Sequence, residues 1–512
     1  MIRTKIISTL GPATSTAEVL RRLFEEGTDV CRLNFSHGQL PDHLKMLQNA
    51  REAAQHLPDP VAILGDLGGP KIRLGPIADQ DGTGGMPIAI GDTLHIQRSP
   101  ITGAAGRVST TYPHFVDDVH IGDRILVEDG LLHFLATDKS SDEVVCTCTA
   151  GGVLKTAKGI NLPDTPVRVP SITERDWQCV DWAIENGLDY LALSFVRQAG
   201  ELRQLREHLQ HHQSRIRIIA KIEKAEALQH IDAILDASDG LMVARGDLGV
   251  EIDLAQVPII QKDLIRRCQR AGKPVIVATQ MLQSMIDNPS PTRAEVSDVA
   301  NAVYDGADAI MLSGETSIGK YPAAAVHIMG HIARVTEEYL DTTGNHHRLS
   351  DRASFLAMPG AERSEAPESL ASSLPAAVAA GAWRTVHDLK AKLAVVWSPS
   401  GNTARVFSQQ RFAVPVVALS NDPLMVRQMT LHYGLVPRPM RPPRDISEFV
   451  AQVDQLVCDQ HLGQAGDRIV LAAGSLLDMP GTLNAVIIHT LGAASGSATI
   501  TPGSPEVVEL EK

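Results

Sequence analysis

Residues 218–251, with the sequence IIAKIEKAEALQHIDAILDASDGLMVARGDLGVE, decide the fold. Two short apolar runs, at 217–221 and 240–244, each end abruptly in polar residues, as buried parallel strands do where they emerge into loops. The first run leads into Lys221 and Glu223, which lie two residues apart and therefore face the same side. The second run leads into a glycine-flanked turn that contains Asp247. The stretch thus places one lysine and two carboxylates at the ends of two strands.

This combination of residues suits a divalent metal and an anionic, phosphate-bearing ligand. Gly246 and Gly249 allow backbone N–H groups to turn toward an anion, and a carboxylate such as Asp247 binds hard cations. Glu223 and Asp247 are therefore the candidate ligands of one Mg²⁺ ion. The alternative is a surface cluster of salt bridges, which is the better explanation for any one of these residues taken alone.

Length and charge limit the classes of protein to consider. The chain has 512 residues and a net charge of -13. The length predicts about three domains. The acidic balance argues against nucleic acid or a membrane as the main partner, since both need a basic face. Six scattered cysteines without a C-x-x-C pair, and no apolar run near the ~20 residues of a membrane span, predict a reduced cytoplasmic protein.

The alternation of strand and helix continues on both sides of the opening stretch, which predicts a parallel sheet. The apolar runs fall at residues 5–10, 30–35, 61–66, 190–195, 217–221, 240–244, 274–278 and 309–312. Eight strands are the number in a closed (β/α)₈ TIM barrel. We therefore predict an α/β protein whose barrel comprises residues 1–72 and 170–342.

Three other segments break this rhythm. Residues 73–169 alternate with period two between Gly, Asp and Pro turns, which predicts a small β-barrel lid domain inserted after strand three. Residues 343–368 are polar and contain Pro and Ser, so we interpret them as a linker or exposed insertion. Residues 369–512 again alternate helices with apolar strands, which predicts a separate, doubly wound C-terminal α/β domain.

Polar residues cluster at the predicted C-terminal ends of the barrel strands, which form the catalytic face of such a barrel. These residues are Arg32, Asn34, Ser36, Asp66, Lys221, Glu223, Asp247, Thr279, Ser313 and Glu315. Arg32, Asn34 and Ser36 share one strand face, so they either bind a ligand or form a hydrogen-bonded polar layer. Thr279 either contacts a ligand or caps a helix.

Two further basic motifs allow a functional and a plain interpretation. The turn DLGGPKIR (66–73) combines glycines with Lys71 and Arg73, which suits phosphate, and it also serves as a domain hinge. Lys158 is either a solvated charge or part of a lid that closes over phosphates. His211 and His212 lie in polar surroundings with no carboxylate at ligand spacing, so we expect them at the surface.

The chain contains the motifs CRLNFSHG, GDLGGPKIRLG, AKIEKAEAL, SDGLMVARGDLGVEI, KPVIVATQMLQSM and PTRAEVSDVANAVYDGADAIMLSGETSIGKYP. Taken together, they resemble the motifs of the pyruvate kinase family and follow that family's order along nearly the whole chain. Several of them are too long to match by chance. The resemblance implies transfer of the phosphoryl group of phosphoenolpyruvate to ADP in glycolysis, followed by protonation of the enolate to pyruvate.

The resemblance also implies roles for individual residues. Lys221 would stabilise the transferring phosphoryl group, while Glu223 and Asp247 would hold Mg²⁺ or Mn²⁺. Substrate contacts fall on Arg32, Arg73, Lys221, Gly246, Asp247 and Thr279. Nucleotide contacts fall on Arg32, Asn34, His37 and Lys158. The catalytic set is Lys221, Arg73, Thr279 and Ser313, with Ser313 in a water-linked proton relay.

Many members of that family bind a monovalent cation. The matching positions here are Asn34, Ser36, Asp66, the carbonyl of Leu67, and Lys71. The K⁺-dependent branch has glutamate at the position of Lys71, whereas the independent branch has lysine, whose ammonium stands in for K⁺ beside Asp66. Leu67 also follows the independent pattern, but Gly68 departs from it, because glutamine is more usual there. The resemblance therefore implies a matched K⁺ site and no K⁺ requirement.

The C-terminal domain resembles the family's effector domain, and the family resemblance implies a homotetramer with a phosphorylated allosteric effector. The candidate effector loop comprises Ser398, Ser400, Gly401, Asn402 and Thr403, with residues 474–481 closing the site. Such a loop either donates N–H and O–H groups to a phosphate or simply opens a helix. Two other functions remain open: another phosphoenolpyruvate or pyruvate enzyme, such as a Mg²⁺-dependent aldolase or lyase, and a catalytically silent metabolite sensor.

Overall fold

The computed structural model describes residues 1–492 except 56, 80, 81, 83, 345–372 and 475–482. Within these residues the chain forms a closed barrel of eight strands, an inserted β domain of a six-stranded and a two-stranded sheet, and a C-terminal sheet of five strands. The predicted linker from residue 345 to 368 and the predicted closing loop at 475–481 lie outside the described residues. Across the described part of the chain, no helix is both long and apolar enough to cross a membrane.

The first part of the barrel consists of three strands and two helices. They are β1 (Lys5–Thr9), α1 (Ala17–Glu25), β2 (Val30–Asn34), α2 (Leu40–Ala54) and β3 (Ala62–Asp66). The Thr16 side chain caps α1 by accepting from the N–H of Val19. Leu20 and Leu23 are buried on the inner face of α1, as the amphipathic pattern of this segment requires.

The inserted domain follows β3 and has its own apolar core. Its elements are β4 (Met86–Ile88), β5 (Thr93–Gln97), β6 (Arg107–Ser109), α3 (Phe115–Asp118), β7 (Arg124–Val127), β8 (Leu132–Lys139), β9 (Glu143–Ala150), β10 (Gly152–Leu154) and β11 (Ile160–Asn161). Residues of β8 alternate between buried and exposed positions, which is the period-two pattern of the sequence. Leu94, Ile96 and Phe134 belong to the cluster that packs inside this domain.

The barrel then resumes with five strands and nine helices among the described residues. They are α4 (Glu174–Glu185), β12 (Tyr190–Leu193), α5 (Ala199–His211), β13 (Arg217–Ile222), α6 (Ala225–Gln229), α7 (Ile231–Ala237), β14 (Gly240–Ala244), α8 (Arg245–Glu251), α9 (Val257–Ala271), β15 (Val275–Ala278), α10 (Arg293–Asp305), β16 (Ala309–Leu312), α11 (Gly314–Ser317) and α12 (Pro322–Thr343). β3 pairs with β12 across the insertion, and β1 pairs with β16 to close the barrel. The predicted (β/α)₈ barrel is confirmed.

The C-terminal domain is built around a single sheet with the strand order β19-β18-β17-β20-β21. Its elements are α13 (Leu374–Leu389), β17 (Leu393–Trp397), α14 (Asn402–Ser408), β18 (Val416–Ser420), α15 (Pro423–Gln428), β19 (Leu435–Pro439), α16 (Ile446–Asp459), β20 (Arg468–Gly474) and β21 (Leu483–Thr490). The sequence pattern missed β19 because Pro437 and Pro439 interrupt it. Proline is tolerated there because β19 is an edge strand.

The C-terminal domain docks on the face of the barrel where the strands begin. Lys5, in β1, donates to the carbonyl of Leu435 at 2.9 Å. Arg427 pairs at 2.8 Å with Asp189, which directly precedes β12. These contacts place the domain at the opposite end of the barrel from the polar strand ends.

His432 gives this docking surface a pH dependence. Burial, together with the positive charges of Arg217, Arg405, Lys5 and Arg411, holds the pKa of His432 well below its usual value of 6.5. The unfolded chain therefore binds a proton near pH 6.5 that the folded chain rejects. We expect stability to fall as pH drops, by up to about 1.4 kcal/mol for each pH unit below 6.5.

The measurement is the thermal unfolding midpoint at pH 7.5, 6.5 and 5.5 for the wild type and a His432→Gln variant. We expect the variant to lose part of the acid destabilisation, because glutamine does not titrate. Equal pH slopes for the two proteins would contradict this expectation.

Candidate active site

Most of the predicted polar residues converge at the C-terminal end of the barrel, where they line a cavity of about 80 Å³. The predicted residues on its wall are Arg32, Asn34, Ser36, Asp66, Lys71, Lys221, Glu223, Asp247 and Thr279. They come from strand ends far apart in sequence, which the parallel barrel brings to one place. We refer to this space as the barrel cavity.

A second cavity of about 260 Å³ lies between the barrel and the inserted domain. His37, Arg73 and Lys158 line it, and Lys71 and Asp247 are common to both cavities. We refer to this space as the lid cavity. The two spaces adjoin, so a ligand in one lies next to a ligand in the other.

Lys221 forms the centre of a buried charge cluster in the barrel cavity. Its ammonium lies 2.8 Å from Glu223 Oε1 and 3.1 Å from Asp66 Oδ1, and it donates to the hydroxyl of Ser194 at 2.7 Å. Arg32 Nε donates to the other oxygen of Asp66 at 2.6 Å. Burial alone would lower the pKa of Lys221, but the Asp66 and Glu223 carboxylates outweigh it and raise that pKa. Lys221 is therefore a fixed cation.

Asp247 differs from the other carboxylates of the cluster because, within the described part of the chain, it has no hydrogen-bond or ion-pair partner. Burial and the nearby negative charge of Glu223 raise the pKa of Asp247 to about 6. Each oxygen of Glu223 already has one partner, since Oε1 pairs with Lys221 and Oε2 accepts from the N–H of Phe195 at 2.8 Å. Glu223 is thus fixed by protein contacts, whereas the oxygens of Asp247 are available to a ligand.

The loop after β15 turns sharply and directs the Thr279 hydroxyl toward α8. Thr279 and Gln280 have φ values of 71° and 54°, in the left-handed region. The hydroxyl accepts from the N–H of Gly246 at 2.8 Å. The interpretation of Thr279 as the cap of the helix that follows it was wrong, because the next helical turn begins only at Gln283 and its N-cap position is Leu282.

Arg245 holds this strained turn in place, and the sequence analysis missed it. Its guanidinium donates to the carbonyl of Thr279 at 2.7 Å and pairs with Asp298 at 2.6 Å. A buried arginine with two such partners over-determines the backbone around Thr279. Arg245 stands in the RGD sequence that ends the second apolar run, so the sequence shows a charged residue there. Its contact with Asp298 could not be predicted, because Asp298 lies 53 residues farther along the chain.

The hinge between the barrel and the inserted domain is tied to α4 by a second residue that the sequence analysis missed. Asp176 Oδ1 accepts from the N–H groups of Gly68 and Gly69 at 3.0 and 3.2 Å, while its Oδ2 accepts from Thr173 at the start of α4. A side chain at Gly69 would come within 2.6 Å of the Phe195 ring. The T-x-x-D spacing signals the cap, whereas the contact with the hinge has no local signal.

Two cations of the lid cavity, Lys158 and Arg73, have partners on the inserted domain. Lys158 pairs with Glu128 at 2.6 Å, and Arg73 donates to the carbonyl of Ala157 at 2.9 Å. The inserted domain also reaches the barrel directly, because Asn161 donates to Glu251 at 3.2 Å. A ligand that binds Lys158 or Arg73 in the lid cavity would therefore have to replace these contacts within the inserted domain.

Three predicted positions lie beside the two cavities rather than on their walls. Gly246 packs behind Thr279, and Leu67 is buried with its carbonyl accepting from Ser194 at 2.7 Å. Ser313 follows β16 and donates its N–H to Glu315 at 2.7 Å. All three stay at the same end of the barrel as the predicted site.

Lys71 does not occupy the position expected beside Asp66. Its side chain is exposed and lines both cavities, yet it makes no ion pair with Asp66 in the residues that the structure covers. Arg32 and Lys221 take that place instead. A Lys71 ammonium that replaces K⁺ would therefore act on Asp66 across the cavity rather than through direct contact.

The candidate effector loop leads into α14. Gly401 occupies the N-cap position of this helix and has a φ of 76°, in the left-handed region. Ser398 is buried and accepts from the N–H of Ala404 at 3.0 Å, so its hydroxyl already serves the helix. Ser400 and Asn402 are exposed, and Thr403 is half-buried. The structure thus places a helix-opening turn here whose outer hydroxyl and amide groups face solvent.

Comparison with known proteins identifies the family. A model described as "Pyruvate kinase, barrel domain" matches residues 1–326, and one described as "Pyruvate kinase, alpha/beta domain" matches residues 376–489. A pyruvate kinase of Bacillus licheniformis is 40% identical over 496 residues, covering 96% of this chain and 81% of the relative. Those of Corynebacterium glutamicum and Mycobacterium tuberculosis are 38% and 39% identical, each covering 96% of this chain and 98% of the relative. The chain therefore belongs to the pyruvate kinase family of phosphotransferases.

Proposed function

We propose that the chain transfers the phosphoryl group of phosphoenolpyruvate to ADP, giving pyruvate and ATP in glycolysis, and that it does so without K⁺. The observation that best supports this proposal is the Lys221 cluster, in which a fixed cation lies between Asp66 and Glu223. The carboxylate of Asp247, which has no partner among the described residues, lies next to it. Such a cluster is suited to phosphoryl transfer, in which positioning and electrostatic stabilisation supply most of the catalysis.

The protein groups divide the work between the two substrates. We assign the phosphoryl group of phosphoenolpyruvate to Lys221 and Arg73, and its carboxylate to the Thr279 hydroxyl with the backbone around Gly246 and Asp247. Ser313, behind the barrel cavity, is assigned to a proton relay that ends at the enolate. The strained turn at Thr279 supports this assignment, since such strain persists where surrounding contacts fix a functional geometry.

The carboxylate pair fits a divalent cation. Among the described residues Asp247 has no partner for its oxygens, and burial together with the negative charge of Glu223 raises its pKa. A bound cation would relieve both effects. Both ligands are hard oxygen donors of the kind that Mg²⁺ and Mn²⁺ prefer. When bound, the ion would neutralise charge on the substrate's phosphate. Glu223 and Asp247 are therefore our proposed ligands.

The lid cavity supports a nucleotide and disfavours the aldolase and lyase alternatives, which lack an inserted domain. We assign the phosphates of ADP to Arg32, Asn34, His37 and Lys158. The pairing of Lys158 with Glu128 keeps this lysine over the cavity until phosphate replaces the carboxylate. The silent-sensor alternative is disfavoured because every proposed position keeps a residue type able to do the chemistry.

The K⁺ proposal depends on the charge at Lys71. Asn34, Ser36 and Asp66 line the barrel cavity together with Lys71, and the Leu67 carbonyl lies behind them. An ammonium on this wall supplies the positive charge that a monovalent cation would otherwise bring. Glutamate at the same position would add negative charge and create a need for K⁺.

The test is a coupled assay with phosphoenolpyruvate, ADP and Mg²⁺ in buffers that contain either Na⁺ alone or K⁺. We expect less than about a twofold K⁺ stimulation of the wild type, and a large stimulation of a Lys71→Glu variant, because the Coulomb contribution of one charge reverses. Lys155→Glu makes the same change at an exposed lysine of the inserted domain and should leave the enzyme insensitive to K⁺. Strong K⁺ stimulation of the wild type would overturn the proposal.

Three further proposals follow from family membership. We place the protein in the cytoplasm, in agreement with its six free cysteines. We propose a homotetramer, which sedimentation velocity tests directly.

We also propose that the loop at Ser398, Ser400, Gly401, Asn402 and Thr403 binds a phosphorylated effector. If a phosphorylated effector still activates the enzyme after mutation of Ser400 and Thr403, the loop serves only to begin the helix.

A further inference from the structure

A cluster of two histidines and one carboxylate lies on the outer surface of the barrel, away from both cavities. Asp181 is on α4, His208 is in the last turn of α5, and His212 follows that helix directly at its C-cap position. One potential ligand atom from each residue lies within 4.8 Å of the other two. His208 Nε2 is 2.7 Å from Asp181 Oδ1, and the two imidazole rings are 4.7 Å apart between centroids.

We propose that Asp181, His208 and His212 bind a divalent transition-metal ion of the Zn²⁺ class. Histidines four residues apart on a helix lie one turn apart on the same face, the spacing at which two imidazoles bind one metal. Two nitrogens and one carboxylate oxygen suit Zn²⁺ and its neighbours, whereas Mg²⁺ prefers oxygen ligands alone. Water would complete the coordination.

The local geometry leaves room for this ion. Tetrahedral bonds of about 2.0–2.1 Å place ligand atoms about 3.3 Å apart, so modest side-chain rotations suffice. The side chains of His208 and Asp181 are 28% and 51% exposed, which gives solvent access to the ion. The predicted surface position of His211 and His212 is confirmed, since both are exposed. Asp181 has no ligand spacing to them in the sequence, because it comes from another helix and becomes a neighbour only in the folded barrel.

A bound ion would join α4 to α5 at the ends remote from the catalytic face. At the opposite end of α4, Asp176 holds the hinge amides of Gly68 and Gly69. Near the start of α5, Glu201 accepts from the hydroxyl of Ser171. The proposed site therefore crosslinks the two helices whose first turns fix the entry and exit of the inserted domain.

The test is a calorimetric titration of ZnCl₂ into the full-length, tag-free, chelator-treated protein in the presence of saturating Mg²⁺, which occupies any Mg²⁺ site. We expect one ion per chain, and at least about a tenfold weaker affinity in His208→Gln and in His212→Gln, since each removes one ligand. Asp181→Asn should also weaken binding. His211→Gln is the matched control, since His211 neighbours His212 but is not one of the three ligands, and it should bind like the wild type.

Trp177 provides a second readout that does not depend on enzyme activity. Its ring lies 4.7 Å from the ring of His208, so a bound Cu²⁺ ion should quench its fluorescence. Quenching should be lost in His208→Gln and His212→Gln variants whose circular dichroism matches the wild type. Affinity and quenching that are unchanged in both variants, or an absence of Zn²⁺ binding to the wild type, would overturn the proposal.

Discussion

A Lys221→Met variant is expected to lose about 10²–10³-fold in kcat, because a group that stabilises transition-state charge in a water-excluded site is worth this much. Lys221 is the buried cation of the barrel cavity, and its raised pKa shows that it stays charged across the working pH range. Methionine has a similar length but no charge. The measurement is a coupled assay at saturating phosphoenolpyruvate, ADP and Mg²⁺.

Loss of folding must be separated from loss of chemistry in this experiment. Removal of the ammonium leaves Asp66 with Arg32 as its remaining cation, so Lys221→Met should also lower the unfolding midpoint. Lys221→Arg keeps a charge for Asp66 and should largely restore stability, yet remain poorly active because guanidinium and ammonium differ in shape. Lys262→Met, which removes a lysine paired with Asp305 outside both cavities, should be active. Near-normal turnover in Lys221→Met would refute its assigned role.

A Glu223→Gln variant is expected to weaken divalent-cation binding by at least about a hundredfold, since outer-shell changes alone cost 10–100-fold. Glutamine keeps the shape of the side chain and can still accept from the N–H of Phe195, so the local fold should persist. Only the charge is removed. The measurement is Mn²⁺ titration followed by electron paramagnetic resonance, with the Mg²⁺ dependence of turnover as a second readout.

The matched control for this change is Glu226→Gln, three residues farther along the same loop and helix, where the carboxylate accepts from Gln198. It should bind Mn²⁺ with the wild-type affinity. If Glu223→Gln did so too, Glu223 would not be a ligand, and the role of Asp247 would need a different partner.

The barrel was predictable from sequence because each of its strands is a short, continuous apolar run between polar ends. β19 was not, because Pro437 and Pro439 remove the pattern and only the edge position makes them acceptable. The direction of β21 was also hidden, because an antiparallel last strand has the same composition as a parallel one.

The candidate site was predictable where residues lie at the end of a strand or within three residues after it, as Lys221, Glu223 and Asp247 do. Residues that support them from other elements were missed. Ser194, Asp176 and Arg245 act through partners that only the closed barrel brings near. Where Lys71 lies relative to Asp66 could not be predicted either, because Arg32 and Lys221, which pair with Asp66, come from other strands.

The pairing of β1 with β16 has a consequence for how the protein is made. Lys5 pairs with Ala309, so the first strand has no partner on one edge until residue 309 has left the ribosome. At 5–20 residues per second this interval is about 15–60 s, far longer than a hairpin or helix needs to form. The inserted domain, whose strands pair among themselves, can mature meanwhile. Translation speed therefore sets the shortest time for which a growing chain exposes this unpaired strand edge to other chains.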